Sequence, residues 1–280
     1  MPFLELFDET LDINSTENYE LSVQASPDGL IFCLLDTIRN KYVLIRAFEP
    51  EHGKYFDEDK INELIIRDDF LTRVYKKTSL IIPAVRFTLV PAPLFDPARK
   101  NDYFEFNHGP DSNSVIMFNR LSDPDAYTLF SLSGQMNDLL SFHYPGVAIS
   151  HYLKPLFNHV TNARRGVFGN YTHLHIEREF FCLIIYSHSD LKFCNSYSYR
   201  STNDILYYTL NVFRKLGLGQ EETLHISGNA ENHDAIKSGL GSYIRIVKFA
   251  VPAGAFTFSY VFNETSLHRY LTLFTITKCE

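Results

Sequence analysis

"LSVQASPDGLIFCLLD", residues 21–36, holds two apolar runs around Ser26-Pro27-Asp28-Gly29. β-branched and large apolar residues flank a Pro-Asp-Gly turn, which predicts an antiparallel hairpin. The pattern extends outward. "YELSVQA", "GLIFCLLD" and "KYVLIRAF" are separated by this turn and by the polar stretch from Thr37 to Asn40, so three strands form a meander. "FDEDKINELIIRDDFLTRVYKK" follows, with Ile61, Leu64, Ile65 and Phe70 at helical spacing, acids early and lysines late. That polarity suits the helix dipole, and a helix is expected over 56–77. "TSLIIPA" and "RFTLVPA" then read as strands.

The same order recurs later in the chain. "YTHLHIE", "EFFCLIIYS" and "LKFCNSYSY" predict a second meander, and "STNDILYYTLNVFRKLGL" a helix with Ser201 or Thr202 as its N-cap. "TLHISG", "NAENHDAIKSGLG" and "YIRIVKFA" read strand, helix, strand. Two halves of β-β-β-α-β-α-β order are therefore expected, each a ribonuclease-H-like unit in an α/β protein. Between them, "SVIMFNRL" and "AYTLFSLS" look like strands, "GQMNDLLSFHY" a short helix, and "GVAISHYLKPLFNHV" a strand leading into a helix. The polar, two-glycine stretch "TNARRGVFGN" is the candidate hinge. The expected boundaries are a first half over 1–160 with a small insertion at about 102–150, a hinge over 161–170, and a second half over 171–280.

Composition narrows the function classes. With 45% hydrophobic residues, 24 Phe and 17 Tyr, the chain has the material for real cores. A net charge of −7 speaks against a general nucleic-acid binder, which needs a basic surface. The start "MPFLELFDETLDINSTENYE" is acidic and lacks a signal-peptide pattern, and no apolar run reaches transmembrane length. A cytoplasmic protein is expected. Cys33, Cys182, Cys194 and Cys279 show no CxxC spacing, and buried free thiols are expected.

Two stretches carry a family resemblance. "DAYTLFSLSGQMNDLLSFHYPGVAISHYLKPLFNHV" resembles the inserted subdomain and linking helix of pilus-assembly and secretion-platform members of the actin-like ATPase superfamily. "TLHISGNAENHDAIKSGLGSYIRIVKFA" resembles the adenosine-side segment of that superfamily. Through "FTLVPAPLFD" and the aromatic tail ending in Cys279, the whole chain is similar to an uncharacterised Bacteroidetes domain-of-unknown-function family of the same superfamily. The resemblance implies an actin-like fold and supplies no reaction.

It also implies where ATPase residues belong. The first phosphate loop wants Asp-x-Gly; the matching positions are Gln24 and Ser26, with Asp28-Gly29 displaced into the turn. The second loop offers Glu177-Arg178-Glu179, where an acid replaces the required glycine. The adenosine segment reads Ser227-Gly228-Asn229, with one glycine where several are usual. The catalytic carboxylates that hold Mg²⁺-bound water are missing from both loops. No catalytic residue is assigned. The expectation is a pseudo-ATPase, with ATP and Mg²⁺ disfavoured as cofactors, serving as a scaffold or adaptor with a protein partner. Two alternatives stay open: a nucleotide-dependent kinase or ATPase with displaced motifs, and a peptide-binding module using a groove beside the insertion.

The remaining constellations are weaker. His173, His175 and Glu177 alternate on one strand face and form a candidate metal set, against the plainer reading of a half-exposed polar face. Tyr207, Tyr208 and Phe213 on a helix, and Phe256, Phe258 and Tyr260 on a strand, are expected to be mostly core. "YLTLFTITKCE" is a candidate edge strand open to a partner.

Overall fold

The computed structural model describes residues 1–51, 53–229 and 232–278, with nothing beyond the backbone at 278. Cys279 lies outside them. In chain order the strands and helices are β1 (Leu4–Phe7), β2 (Tyr19–Ser26), β3 (Gly29–Asp36), β4 (Lys41–Phe48), α1 (Glu58–Arg67), β5 (Lys77–Ile82), β6 (Phe87–Pro91), α2 (Lys100–His108), β7 (Ser114–Leu121), β8 (Ala126–Ser133), α3 (Gly134–His143), β9 (Ile149–His151) and α4 (Leu153–Ala163). Then come β10 (Asn170–Ile176), β11 (Phe180–Ser187), β12 (Asp190–Ser198), α5 (Thr202–Lys215), β13 (Thr223–Ser227), α6 (His233–Gly241), β14 (Ile246–Phe249), β15 (Thr257–Phe258) and α7 (Leu271–Thr275). No described helix is long and apolar enough to cross a membrane.

The chain divides into two compact units. The first comprises residues 1–158, 253–265 and 272 onward; the second comprises 159–252 and 266–271. The C-terminal stretch, expected wholly in the second half, thus contributes to both units.

In the first unit a seven-stranded sheet has the order β1-β4-β3-β2-β5-β9, with β15 adding to β4. β2, β3 and β4 are antiparallel, while β5 runs parallel to β2 and β9 parallel to β5. One face packs Leu21, Val23, Phe32 and Leu34 against Ile61 and Ile65 of α1 and Met136 and Leu140 of α3. The tail covers the other face. Tyr42 donates its hydroxyl to the Phe274 carbonyl at 2.6 Å, and its ring lies within 5.5 Å of Phe256, Phe258 and Phe274. Every residue of β3 is buried as a result, because the strand has cover on both faces.

The tail itself corrects an expectation. "YLTLFTITKCE" is no edge strand: residues 267–278 form α7 flanked by 3₁₀ turns, and Leu273, Phe274 and Ile276 are buried. The apolar run suits either structure, and tertiary packing chose the helix.

α1 is shorter than expected. It ends at Asp68, whose carboxylate accepts from the amides of Phe70 and Leu71 and from Arg46 Nη1 at 2.5 Å. A side chain that bonds its own following backbone competes with helix. α2, unforeseen in a stretch full of turn residues, buries only Phe104 and so leaves little periodic signal.

The three-stranded sheet β6-β8-β7 with α2 forms a small layer around Val90, Phe104, Ile116 and Leu129. It begins at Phe87, ahead of the expected 102. The side chain of Asn119 on β7 bridges to β9: Nδ2 donates to the Ile149 carbonyl at 3.0 Å, and Oδ1 accepts from the His151 amide at 2.6 Å. A single amide side chain thereby pairs the outer edge of β9 as a neighbouring strand would.

The second unit repeats the strand order as β12-β11-β10-β13-β14, with the same directions. Leu174, Ile176, Leu183 and Ile226 pack one face against Ile205 and Phe213 of α5 and Ile236 and Leu240 of α6. α5 starts with a capping box in which Asp204 accepts from the Ser201 amide. Tyr208 stacks on Tyr197 and Phe213 is buried, but Tyr207 is exposed, contrary to the expected core placement.

Candidate functional site

The two hairpins can be superposed by register alone. In the first, Ser26 pairs with Gly29 around the two-residue turn Pro27-Asp28. In the second, the Glu177 amide bonds the Phe180 carbonyl at 2.8 Å around Arg178-Glu179. Ser26 therefore corresponds to Glu177, and Gln24 to His175.

The first hairpin is bonded within itself and to the tail. Pro27 has no N–H. The Asp28 amide donates to Ser26 Oγ at 3.2 Å. Gly29 lies where an added Cβ would sit 2.6 Å from the Phe48 carbonyl oxygen, so close strand approach accounts for this glycine. Gln24 is buried, and its Oε1 accepts from Thr272 Oγ1 at 3.2 Å. The turn is Pro27-Asp28 rather than the expected Asp28-Gly29, since Gly29 already pairs as strand.

The second hairpin leads into a buried polar chain. His173, His175 and Ser227 are fully buried, and Glu177 nearly so. His173 Nε2 lies 2.7 Å from Ser227 Oγ, His175 Nδ1 lies 2.9 Å from that oxygen, and His175 Nε2 lies 3.0 Å from Glu177 Oε1. A carboxylate only accepts, so the network assigns a proton to His175 Nε2. His175 Nδ1 then accepts from the Ser227 hydroxyl, and Ser227 accepts from His173 Nε2–H. His173 Nδ1 is left without a hydrogen-bond partner among the described residues. Burial, with His159, His175 and His225 nearby, holds the His173 pKa well below the ordinary imidazole value, in keeping with the neutral ring this chain needs.

This face is neither the half-exposed strand surface nor the solvated turn that alternation suggested. β10 is covered on both faces, and its two histidines bond Ser227 of β13. No group of three or more His, Cys, Asp and Glu among the described residues is arranged to hold a metal ion, and Ser227 occupies the place between the two imidazoles. A serine beside an imidazole that is itself held by a carboxylate has the composition of a nucleophilic triad. Ser227 is fully buried, and its hydroxyl ties β13 to β10 through the two imidazoles.

The adenosine-side segment is committed as well. Gly228 has φ +100°, and a Cβ there would lie 2.1 Å from the Ile176 carbonyl oxygen. Its amide donates to the His268 carbonyl at 2.9 Å. Asn229 Oδ1 accepts two bonds from Arg269, at 2.9 and 2.6 Å. The His268 ring stacks on Phe249 at 4.0 Å, and His233 meets it edge-on at 4.7 Å. Burial lowers the pKa of His233 to about 3 and that of His268 to about 4. Sequence reasoning found Ser227, Gly228 and Asn229 but missed His233, His268 and Arg269. The last two sit some 40 residues away in sequence, and no local pattern links them to Gly228.

No curated protein matches the chain. A Bacteroides thetaiotaomicron protein with actin-like ATPase fold and unknown function is similar in structure, with TM-score 0.80, 21% identity, and coverage of 97% of this chain and 100% of that one. A chain of the PilM-PilN type IV pilus biogenesis complex follows at TM-score 0.57 and 11% identity, covering 92% of this chain and 98% of that one. The fold is thus that of the actin-like ATPases, as the sequence resemblance implied. The model for the protein of unknown function family DUF3822 matches residues 8–247, and the chain belongs to that family.

Proposed function

We propose that this protein is an actin-like scaffold or adaptor that works through a protein partner and does not turn over ATP. The observation that carries the reading is the commitment of the backbone amides where phosphates would be held. Pro27 has none, Asp28 gives its amide to Ser26, Glu177 to Phe180, and Gly228 to His268. Phosphate loops work by pointing free N–H groups at the anion. Glu177 and Glu179 add negative charge where a phosphate would need the opposite. The negative net charge supports a partner that is protein rather than nucleic acid.

The assembly role draws on the likeness to a pilus-biogenesis protein, which extends to the fold alone. A partner strand added at β9 is disfavoured, because Asn119 already pairs that edge. Calorimetry with ATP or ADP and Mg²⁺ tests the proposal. No saturable heat is expected up to millimolar nucleotide; a micromolar Kd overturns the reading in favour of a nucleotide-dependent enzyme.

A further inference from the structure

The loop after α4 borders an open cavity of about 430 Å³ in the second unit, lined by Thr161, Arg164, Arg165, Phe168, His188 and Ser189 among others. That volume falls in the range of small-molecule sites. Its two guanidinium groups differ. Arg164 is fixed: its guanidinium lies 4.3 Å over the Tyr186 ring, and Nη1 donates to the His188 carbonyl at 3.2 Å. Arg165 is exposed, and among the described residues its guanidinium makes no hydrogen bond or ion pair. The adjoining Phe168 is 99% exposed, which leaves a whole aromatic ring in water at the cavity rim.

A cation at a helix C-terminus is favoured by the dipole, and that accounts for one arginine. It accounts for neither the second arginine nor the exposed ring. Asp190, beside the cavity, is already bonded to Lys192 at 3.1 Å and to Ser189 at 3.3 Å. Guanidinium groups match the oxygens of a phosphate, and both arginines line this one cavity.

We propose that this cavity binds a small phosphate monoester carried on a flat organic group, with the phosphate on Arg164 and Arg165 and the flat group on Phe168. The test is titration of the full chain with phenyl phosphate, followed by amide chemical shifts. Saturable shifts are expected at 161–169 and 186–190. Arg165→Ala should weaken phenyl phosphate and inorganic phosphate alike by at least about tenfold. Phe168→Ala should weaken phenyl phosphate and leave inorganic phosphate unchanged. Both side chains are solvent-exposed, so the variants should fold. The proposal fails if no saturable shift appears at these residues, or if Arg165→Ala leaves the affinity unchanged. It also fails if an acidic peptide binds there as tightly as phenyl phosphate, which would mark a protein-docking patch. Phenyl phosphate carries no nucleotide, so this outcome is independent of the ATP measurement.

Discussion

The two sheets share strand order and direction, yet their second faces are built from opposite materials. In the first unit that face is aromatic, with Tyr42 held among Phe256, Phe258 and Phe274. In the second it is polar, running His173, Ser227, His175 and Glu177, with His225 stacked on Tyr171 beside them. Apolar packing tolerates small misfits of shape. A buried hydrogen-bond chain tolerates none, because each missing partner leaves a desolvated polar atom. The same topology is therefore held by aromatic burial in one unit and by a buried hydrogen-bond chain, unpaired only at its His173 Nδ1 end, in the other.

Substitutions should separate these two kinds of face. Phe274→Ala removes a fully buried ring from the first unit and should cost about 3–5 kcal/mol in denaturant unfolding. Gly228→Ala forces a Cβ against the Ile176 carbonyl at a left-handed φ and should cost the second unit about 3 kcal/mol. Hydrogen exchange should place that loss in β10 and β13. Ser227→Ala leaves His173 Nε2 and His175 Nδ1 unpaired and should cost about 1–3 kcal/mol, although almost no volume is lost. A neutral Ser227→Ala would break the comparison, since the polar face would then be held by shape as the aromatic one is.

Acidification should also discriminate. Folding depresses the pKa of His159 to about 4, His233 to about 3 and His268 to about 4, chiefly by burial. The unfolded chain takes up protons near pH 6.5, before the folded one does. The contribution of these groups is complete above pH 6.5 and is lost as pH falls toward 4–3, by about 1.4 kcal/mol per group per pH unit. In the first unit burial also lowers the pKa of His143. That unit's buried Asp8 has a depressed pKa and titrates only in stronger acid, held down against desolvation by bonds from Lys41 and Ser259. Hydrogen exchange at pH 7 and pH 5 should thus show the second unit loosening first; equal loosening would sink this assignment.

Much of the fold was legible because it is local. The Ser26-Pro27-Asp28-Gly29 turn, both meanders, and the α5 helix with its Ser201 cap all follow from period and turn chemistry. The candidate positions Gln24, Ser26, Glu177, Ser227 and Gly228 were likewise found by their place in the strand order. Their environments were not. Glu177 looks like a solvated turn residue until His175 and Tyr199, whose hydroxyl donates to the Glu177 carbonyl at 2.7 Å, close over it.

The sequence by itself determined the repeated strand order and the places of Gln24, Ser26, Glu177 and Glu179 within it. Only the tertiary structure decided that the tail is helical and that β10 is buried on both faces. It also decided that Gly228 is a glycine because Ile176 crowds it. Periodicity reports which side of an element is apolar; it carries no information about what distant segment will cover the other side. In the first unit that cover comes from Phe256, Phe258 and Phe274, far along the chain from the strand they complete, and in the second His159 of α4 meets His173.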